Sequence, residues 1–378
     1  MHKPQSNSKP KSKLAKPTLL MAGGTGGHIF PALAVAKLLQ EQGETVVWLG
    51  SSNSMEAQRV PAAGIPFYEL SISGLRGKGK KTLLLAPFKL LASLWQAIKI
   101  LRQVKPCRVI GFGGFASGPG GLAAWLLRIP LYVHEQNALP GMTNKSLSYL
   151  AKRVFTAFPQ AFAGKAKVEC VGNPVRETLL NLPPPSQRYA ERQGPLRILV
   201  VGGSLGAQVL NTTVPAAISL LPCNKLPLIR HQTGAKQLAM TQALYAQLDE
   251  TMPKLQEQVT VIDFIEDMAT ALSWADVVIC RAGALTLAEL AVVGVASVLV
   301  PFPFAVDDHQ THNARFLAEA GAALLLPQTQ FNATSLAELL SGNLADRSYL
   351  ATMANKAFEL ASNQAGQKML KTILKDDQ

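Results

Sequence analysis

Twice along this chain a short apolar run ends in a glycine-rich turn that opens a helical pattern. The first is Pro17-Thr-Leu-Leu-Met-Ala22 feeding Gly23-Gly-Thr-Gly-Gly-His28, with Pro31 early in the helix. The second is Arg197-Ile-Leu-Val-Val201 feeding Gly202-Gly-Ser-Leu-Gly-Ala207. Strand, tight turn and helix in that order bring the chain back for another strand beside the first. This predicts parallel sheet with helices on both faces. Arg108-Val-Ile110 into Gly111-Phe-Gly-Gly-Phe115, and Asp276-Val-Val-Ile-Cys280 into Arg281-Ala-Gly-Ala-Leu-Thr286, repeat the theme. The matched turns at 23–25 and 202–204 imply two similar α/β, Rossmann-like domains. A chain of 378 residues suits two cores better than one.

The divisions follow from composition. Residues 1–17 carry Lys3, Lys9, Lys11, Lys13 and Lys16 with no acid, and read as a disordered basic tail. One domain is expected over 18–175 and a second over 176–345. The Pro-rich Leu182–Gln187 stretch reads as a surface loop at the boundary. A helical segment over 346–378 is expected to pack back on the first domain.

The net charge of +13 favours phosphates, nucleic acid or anionic lipid heads, although a solvated lysine-rich surface gives the same number. Cys107, Cys170, Cys223 and Cys280 lack metal or redox spacing and read as buried free thiols. No uninterrupted apolar run reaches membrane-spanning length, so contact with a bilayer, not passage through it, is expected.

In open α/β sheets ligands sit at the carboxyl ends of strands. Four glycine-rich turns lie there, at 23–27, 111–114, 202–206 and 281–284, and each presents backbone N–H groups and a positive helix end to an anion. No P-loop occurs. Gly111-Phe-Gly-Gly-Phe-Ala116 fits a dinucleotide fingerprint, with Glu135 as a later acid, but Gly118-Pro-Gly-Gly121 is expected to disrupt the helix that should follow. No D-x-D pair or H-E-x-x-H is present, so no metal centre and no cofactor is expected. A leaving diphosphate would then depend on backbone amides and arginine, with Arg176 and the turn at Ser204 as candidates. His28 ends a turn at a strand's carboxyl end and suits a general base, or simply caps a helix. Glu289, one turn into the helix after 281–284, suits a pair of ribose hydroxyls, or complements the helix dipole.

Taken together, these motifs resemble the MurG family of bacterial glycosyltransferases. The resemblance rests on Gly23–His28, Gly113–Pro119, His134-Glu-Gln-Asn-Ala138, Gly172-Asn-Pro-Val-Arg176, Gly202–Ala207, Phe264-Ile-Glu-Asp-Met268, Arg281–Ala284 with Glu289, and Asp308-His-Gln-Thr-His-Asn-Ala314. They occur in order over roughly residues 18 to 330. The resemblance implies a GT-B fold, with an acceptor and membrane-side first domain and a UDP-sugar-binding second domain. It implies inverting, metal-independent transfer of N-acetylglucosamine from UDP-N-acetylglucosamine to the 4-hydroxyl of undecaprenyl-pyrophosphoryl-N-acetylmuramyl-pentapeptide in peptidoglycan synthesis.

Residue by residue, the resemblance implies that Ile265 meets the uracil and Glu289 the ribose. Ser204, Arg176 and the helix start at Ala284, Leu285 and Thr286, continuing through Leu287 and Ala288, would meet the nucleotide. Gln310 and Asn137 would contact the sugar. Thr25, Gly26 and Gly27 would close on the acceptor diphosphate. His28 is the expected base, with Glu135 or a bound water as alternatives.

Arg76, Lys78, Lys80 and Lys81 beside Leu83, Leu84, Leu85 and Phe88 suit an anionic membrane surface, expected at the cytoplasmic face of the inner membrane. Residues 90–101, with Leu91, Trp95 and Ile98, read as core. Nucleic acid is not an expected partner, because that reading leaves the cleft motifs unexplained. A UDP-N-acetylglucosamine epimerase and a dinucleotide oxidoreductase are the competing enzyme readings.

Overall fold

The structure is a computed structural model, and it describes residues 16–72, 86–203, 206–249, 252–253 and 255–376. Residues 1–15 of the tail, the basic-apolar stretch from Arg76 to Leu85, and Ser204 lie outside the described residues.

The first sheet comprises β1 (Thr18–Met21), β2 (Val46–Ser51), β3 (Phe67–Leu70), β4 (Arg108–Gly111), β5 (Leu131–Glu135), β6 (Arg153–Thr156) and β7 (Val168–Cys170). Its order is β3-β2-β1-β4-β5-β6-β7, and every pairing is parallel. The second comprises β8 (Arg197–Val201), β9 (Leu228–Gln232), β10 (Val259–Ile262), β11 (Val277–Cys280), β12 (Ala296–Leu299) and β13 (Leu324–Leu325), in the order β10-β9-β8-β11-β12-β13, again all parallel. β1, β4, β11 and β12 are buried along their whole length, which is why they read as unbroken apolar runs.

Each sheet reverses its winding once, between β1 and β4 and between β8 and β11. The four glycine-rich turns follow those four strands. Both switch points, where open α/β sheets form a ligand crevice, are therefore lined with glycine.

Three details depart from the sequence reading. The helix Ser117–Leu126 runs through Gly118-Pro-Gly-Gly121 without interruption. Pro119 sits in the first turn, where its missing N–H is not needed. Gly120 and Gly121 admit Met21 and Leu147 so closely that a Cβ would collide with them. The Pro-rich stretch enters a short helix, Pro185–Ala190, whose Tyr189 is buried and whose Arg188 donates to the carbonyls of Val293 and Gly294. It is thus packed onto the second domain instead of forming a free surface loop. Of the cysteines, Cys280 is buried but Cys170 and Cys223 are exposed.

The chain crosses between the domains twice. The first crossing follows β7, and the second lies between the helices Arg347–Glu359 and Ala365–Asp376. Arg347–Glu359 stays with the second domain, where Leu350, Met353 and Ala354 join its core. Only Ala365–Asp376 reaches the first, inserting Met369, Leu370 and Ile373 beside Leu20, Ile29 and Val35. The expectation that all of 346–378 packs on the first domain thus holds for its last helix alone. The two crossings touch at Gly172, where φ is +91° and a Cβ would come within 2.1 Å of the Ser362 Cβ, so no side chain fits.

Candidate functional site

The turn after β1 leads into the helix Gly26–Glu41, whose N-cap Thr25 makes no side-chain cap bond. Its first N–H groups, at Thr25, Gly26 and Gly27, face the switch point as donors without intrahelical partners. The turn is fixed from behind by Glu56, a fully buried carboxylate that accepts from the N–H groups of Gly24 (3.3 Å) and Ser51 (3.2 Å). Sequence reading missed Glu56, because nothing local marks a residue 32 positions away as the support of a turn. In the second domain Gln232 does the same work: it accepts from Gly203 N (3.2 Å) and donates to the carbonyls of Gly203 (3.0 Å) and Asp263 (2.9 Å).

His28 is half-buried, with Nδ1 3.0 Å from the Gly23 carbonyl. A carbonyl only accepts, so Nδ1 carries the proton and Nε2 of the neutral ring presents a lone pair. The Nε2 side abuts Gly113, where a Cβ would approach to 3.2 Å and φ is +98°, so glycine there keeps the ring edge clear. This is the tautomer a general base needs.

Glu135 has a different environment. It is 1% exposed, and four N–H donors saturate its carboxylate: Asn137 N (2.9 Å) and Asn137 Nδ2 (3.2 Å) on Oε1, Gly141 N (3.1 Å) and Asn144 Nδ2 (2.9 Å) on Oε2. With both oxygens so occupied, the carboxylate holds the 136–144 loop in shape. Beside it, His134 donates from Nε2 to the Gly172 carbonyl (2.9 Å) and accepts from Gln136 on Nδ1 (3.1 Å). Burial pushes its pKa down to about 4.

Across the cleft, the helix Ala284–Val293 starts at Gly283 with no side-chain cap and no acid in its first turn. Ala284, Leu285 and Leu287 are buried, and the N–H groups at its start, through Thr286, form the positive end of the second switch point. Glu289, on the same helix, is 6% exposed and lies 3.2 Å from the Arg176 guanidinium. Burial raises the Glu289 pKa, and Arg176 opposes that shift. The residues expected to meet diphosphate and ribose are therefore paired with each other, and Arg176 also stacks 4.9 Å from the Phe30 ring of the first domain. Ile265 is buried at the edge of the same crevice. Gln310 accepts from Phe302 N (3.0 Å), which fixes its carboxamide. Arg281 donates to the carbonyls of Val300 and Pro301 and to Gln328, so it shapes the crevice wall.

On the outer face of the first domain, the helix Ala86–Val104 corrects the expectation of a buried 90–101 segment. Leu91 and Trp95 are 63% and 70% exposed, in line with Phe88 at 70%, while Ala97 and Leu101 are buried. The periodicity identified an apolar face, but the face in contact with the sheet is the one carrying Ala97 and Leu101. The helix packs against Ser117–Leu126, whose Trp125 and Leu126 are also half-exposed. Among the described residues, no helix is long and apolar enough to cross a membrane.

Comparison with known proteins agrees with this geometry. Residues 18–156 match the glycosyltransferase family 28 N-terminal domain, and 197–370 match the family 28 C-terminal domain. The UDP-N-acetylglucosamine–N-acetylmuramyl-(pentapeptide) pyrophosphoryl-undecaprenol N-acetylglucosamine transferase of Alkalilimnicola ehrlichii is 51% identical over 96% of this chain and 99% of its own length. That of Marinobacter nauticus is 49% identical, over 94% and 96%. The crystal structure of Acinetobacter baumannii MurG superposes with a TM-score of 0.78 at 44% identity, covering 95% of this chain and 99% of that one. A Neisseria meningitidis UDP-GlcNAc 2-epimerase superposes with a TM-score of 0.64 at 14% identity over 95% of this chain and 100% of its own, a likeness of fold alone.

Proposed function

This chain belongs to glycosyltransferase family 28, and on that premise we propose that its two glycine-lined switch points hold donor and acceptor face to face. The reaction is transfer of N-acetylglucosamine from UDP-N-acetylglucosamine to the undecaprenyl-pyrophosphoryl-N-acetylmuramyl-pentapeptide, the step that completes the lipid-linked precursor of peptidoglycan. The observation that carries the assignment of roles is the bond from His28 Nδ1 to the Gly23 carbonyl, which leaves Nε2 as the accepting nitrogen at one switch point, opposite an uncapped helix start at the other.

In this reading the nucleotide lies on the second domain, with uracil beside Ile265 and ribose on Glu289. Its diphosphate lies at the N-terminus of Ala284–Val293, whose dipole and N–H groups take up charge as UDP leaves. Arg176 is 3.2 Å from Glu289, close enough to turn from that carboxylate to a diphosphate, where its guanidinium adds charge-assisted bonds. The Thr25–Gly27 amides hold the acceptor diphosphate. The acceptor 4-hydroxyl attacks the anomeric carbon from the face opposite UDP, and His28 Nε2 removes its proton as the bond forms. The configuration therefore inverts. Glu135 sets the loop that carries Asn137 and takes no proton.

The test is transfer of radiolabelled N-acetylglucosamine to a short-chain analogue of the lipid-linked muramyl pentapeptide, with EDTA present. Labelled glycolipid is the expected product. Turnover of the free sugar nucleotide without acceptor would instead favour an epimerase. Donor binding without product would move the acceptor assignment elsewhere.

The membrane side is the Ala86–Val104 face. Phe88, Leu91 and Trp95, with Trp125 and Leu126 alongside, form an apolar surface that suits the interfacial zone of a bilayer, and the basic stretch at Arg76–Lys81 adjoins it in sequence. This face supports a reading in which the acceptor side of the cleft lies toward the cytoplasmic face of the inner membrane. Replacing Phe88, Leu91 and Trp95 together by Ser is expected to release the protein from phosphatidylglycerol vesicles in a sedimentation assay. Undiminished co-sedimentation would remove this face from the proposal.

A further inference from the structure

Asn313, in the helix His309–Ala318, is completely buried where the two domains meet. Its side chain is shared between them. Oδ1 accepts from the N–H of Ala138 in the first domain at 2.8 Å. Nδ2 donates to Asn137 Oδ1 at 3.2 Å, and at 3.4 Å to the carbonyl of Ala282, in the turn that opens the nucleotide-side helix. Asn137 is in turn fixed by Glu135, which takes both its N–H and its Nδ2. One hydrogen-bonded line thus runs Glu135–Asn137–Asn313–Ala282, from the end of β5 to the turn after β11. A small apolar cluster shields it, with Ala138 and Phe158 from one side, Ala284 and Phe316 from the other, and the Phe158 and Phe316 rings edge-to-face at 5.3 Å.

A carboxamide suits this position because it both donates and accepts, as a shared interdomain bond pair requires. Its burial makes the bonds to Ala138 and Asn137 conditional on contact between the domains, while the bond to Ala282 stays within the second: if the domains separate, Asn313 Oδ1 and the Ala138 N–H lose partner and shielding together.

We infer that Asn313 is a positioning residue that latches the domains across the cleft and, through Asn137, sets the carboxamide that faces the transferred sugar. The part concerning the sugar rests on the proposed transfer reaction. The latch itself does not.

Two measurements on the full chain test it. The first is amide hydrogen exchange at Ala138 in the absence of substrates. Asn313→Ala is expected to speed exchange there at least tenfold while leaving the β8 and β11 amides protected. Asn313→Asp, which keeps the acceptor for Ala138 but cannot donate to Asn137, is expected to preserve that protection. Ala138 exchange unchanged in Asn313→Ala overturns the latch, and so does loss of protection throughout both sheets in Asn313→Ala together with unprotected Ala138 in Asn313→Asp.

The second is kinetic. Asn313→Ala and Asn313→Asp are both expected to lower kcat more than tenfold with the UDP dissociation constant unchanged. Adding Asn137→Ala is expected to cause little further loss. A parallel loss of UDP affinity, or fully additive losses with Asn137→Ala, overturns the positioning role. Absence of transfer by the unaltered chain would instead count against the proposed reaction and leave the exchange result standing.

Discussion

Replacing His28 by Gln is expected to lower kcat for sugar transfer by about 100- to 10,000-fold, the usual contribution of a positioned general base. Gln can still donate to the Gly23 carbonyl, so the turn and its N–H groups should persist while the basic nitrogen is lost. UDP affinity, which belongs to the opposite domain, should not change. Single-turnover transfer and UDP titration on the same preparation separate the two effects. Equal losses in both would mean that His28 supports the architecture of the cleft and not the proton transfer. Glu135→Gln is the informative companion. Gln exchanges one acceptor oxygen for a donor that faces the N–H groups of its loop, so the variant should disturb loop geometry without imposing a new ionisation on the pH–rate profile.

The second large effect is on stability in acid. His134 and His231 sit one in each domain and are both completely buried, and burial holds their pKa values down to about 4 and about 3. His231 donates from Nε2 to Asn211 Oδ1 and accepts the Tyr245 hydroxyl on Nδ1, both at 3.0 Å, so the neutral ring satisfies both neighbours. The unfolded chain protonates both near pH 6.5. Stability contributed by their neutral state is therefore complete above about pH 6.5. It falls as pH drops, until about pH 4 for His134 and about pH 3 for His231. Two protons bound preferentially by the unfolded state give a slope of about 2.7 kcal/mol per pH unit, or about 4 kcal/mol between pH 6.5 and 5. Glu289, with its raised pKa, opposes part of this by one proton at most. Urea unfolding at pH 7 and pH 5 measures the difference. Equal midpoints would mean that the buried rings gain protons without unfolding.

Much of this architecture was legible in the residues. Parallel strands buried on both faces leave unbroken apolar runs, and a turn from strand to helix at a switch point calls for glycine, so the element order and all four crevice turns could be read directly. His28 and Glu289 stood out because each lies within a few residues of such a turn, and Arg176 because it ends Gly172-Asn-Pro-Val-Arg176. Glu56, Gln232 and Asn313 did not, since the contacts that tie them to the cleft turns and to the other domain span 29 to 176 positions, and sequence spacing says nothing of contacts made only after folding. Leu91 and Trp95 were misplaced for a different reason. A helical period shows that one face is apolar, but Ala97 and Leu101 could satisfy the sheet as well as bulkier residues could.

The return of Ala365–Asp376 to the first sheet has a consequence for how the molecule is made. The first domain is finished by residues that follow the whole of the second in sequence. Until Met369, Leu370 and Ile373 arrive, the nascent first domain lacks one wall beside Leu20, Ile29 and Val35, however long the ribosome has been translating the second. The second domain, whose strands are contiguous in sequence, can close first, and the earliest-synthesised domain becomes the last to be sealed.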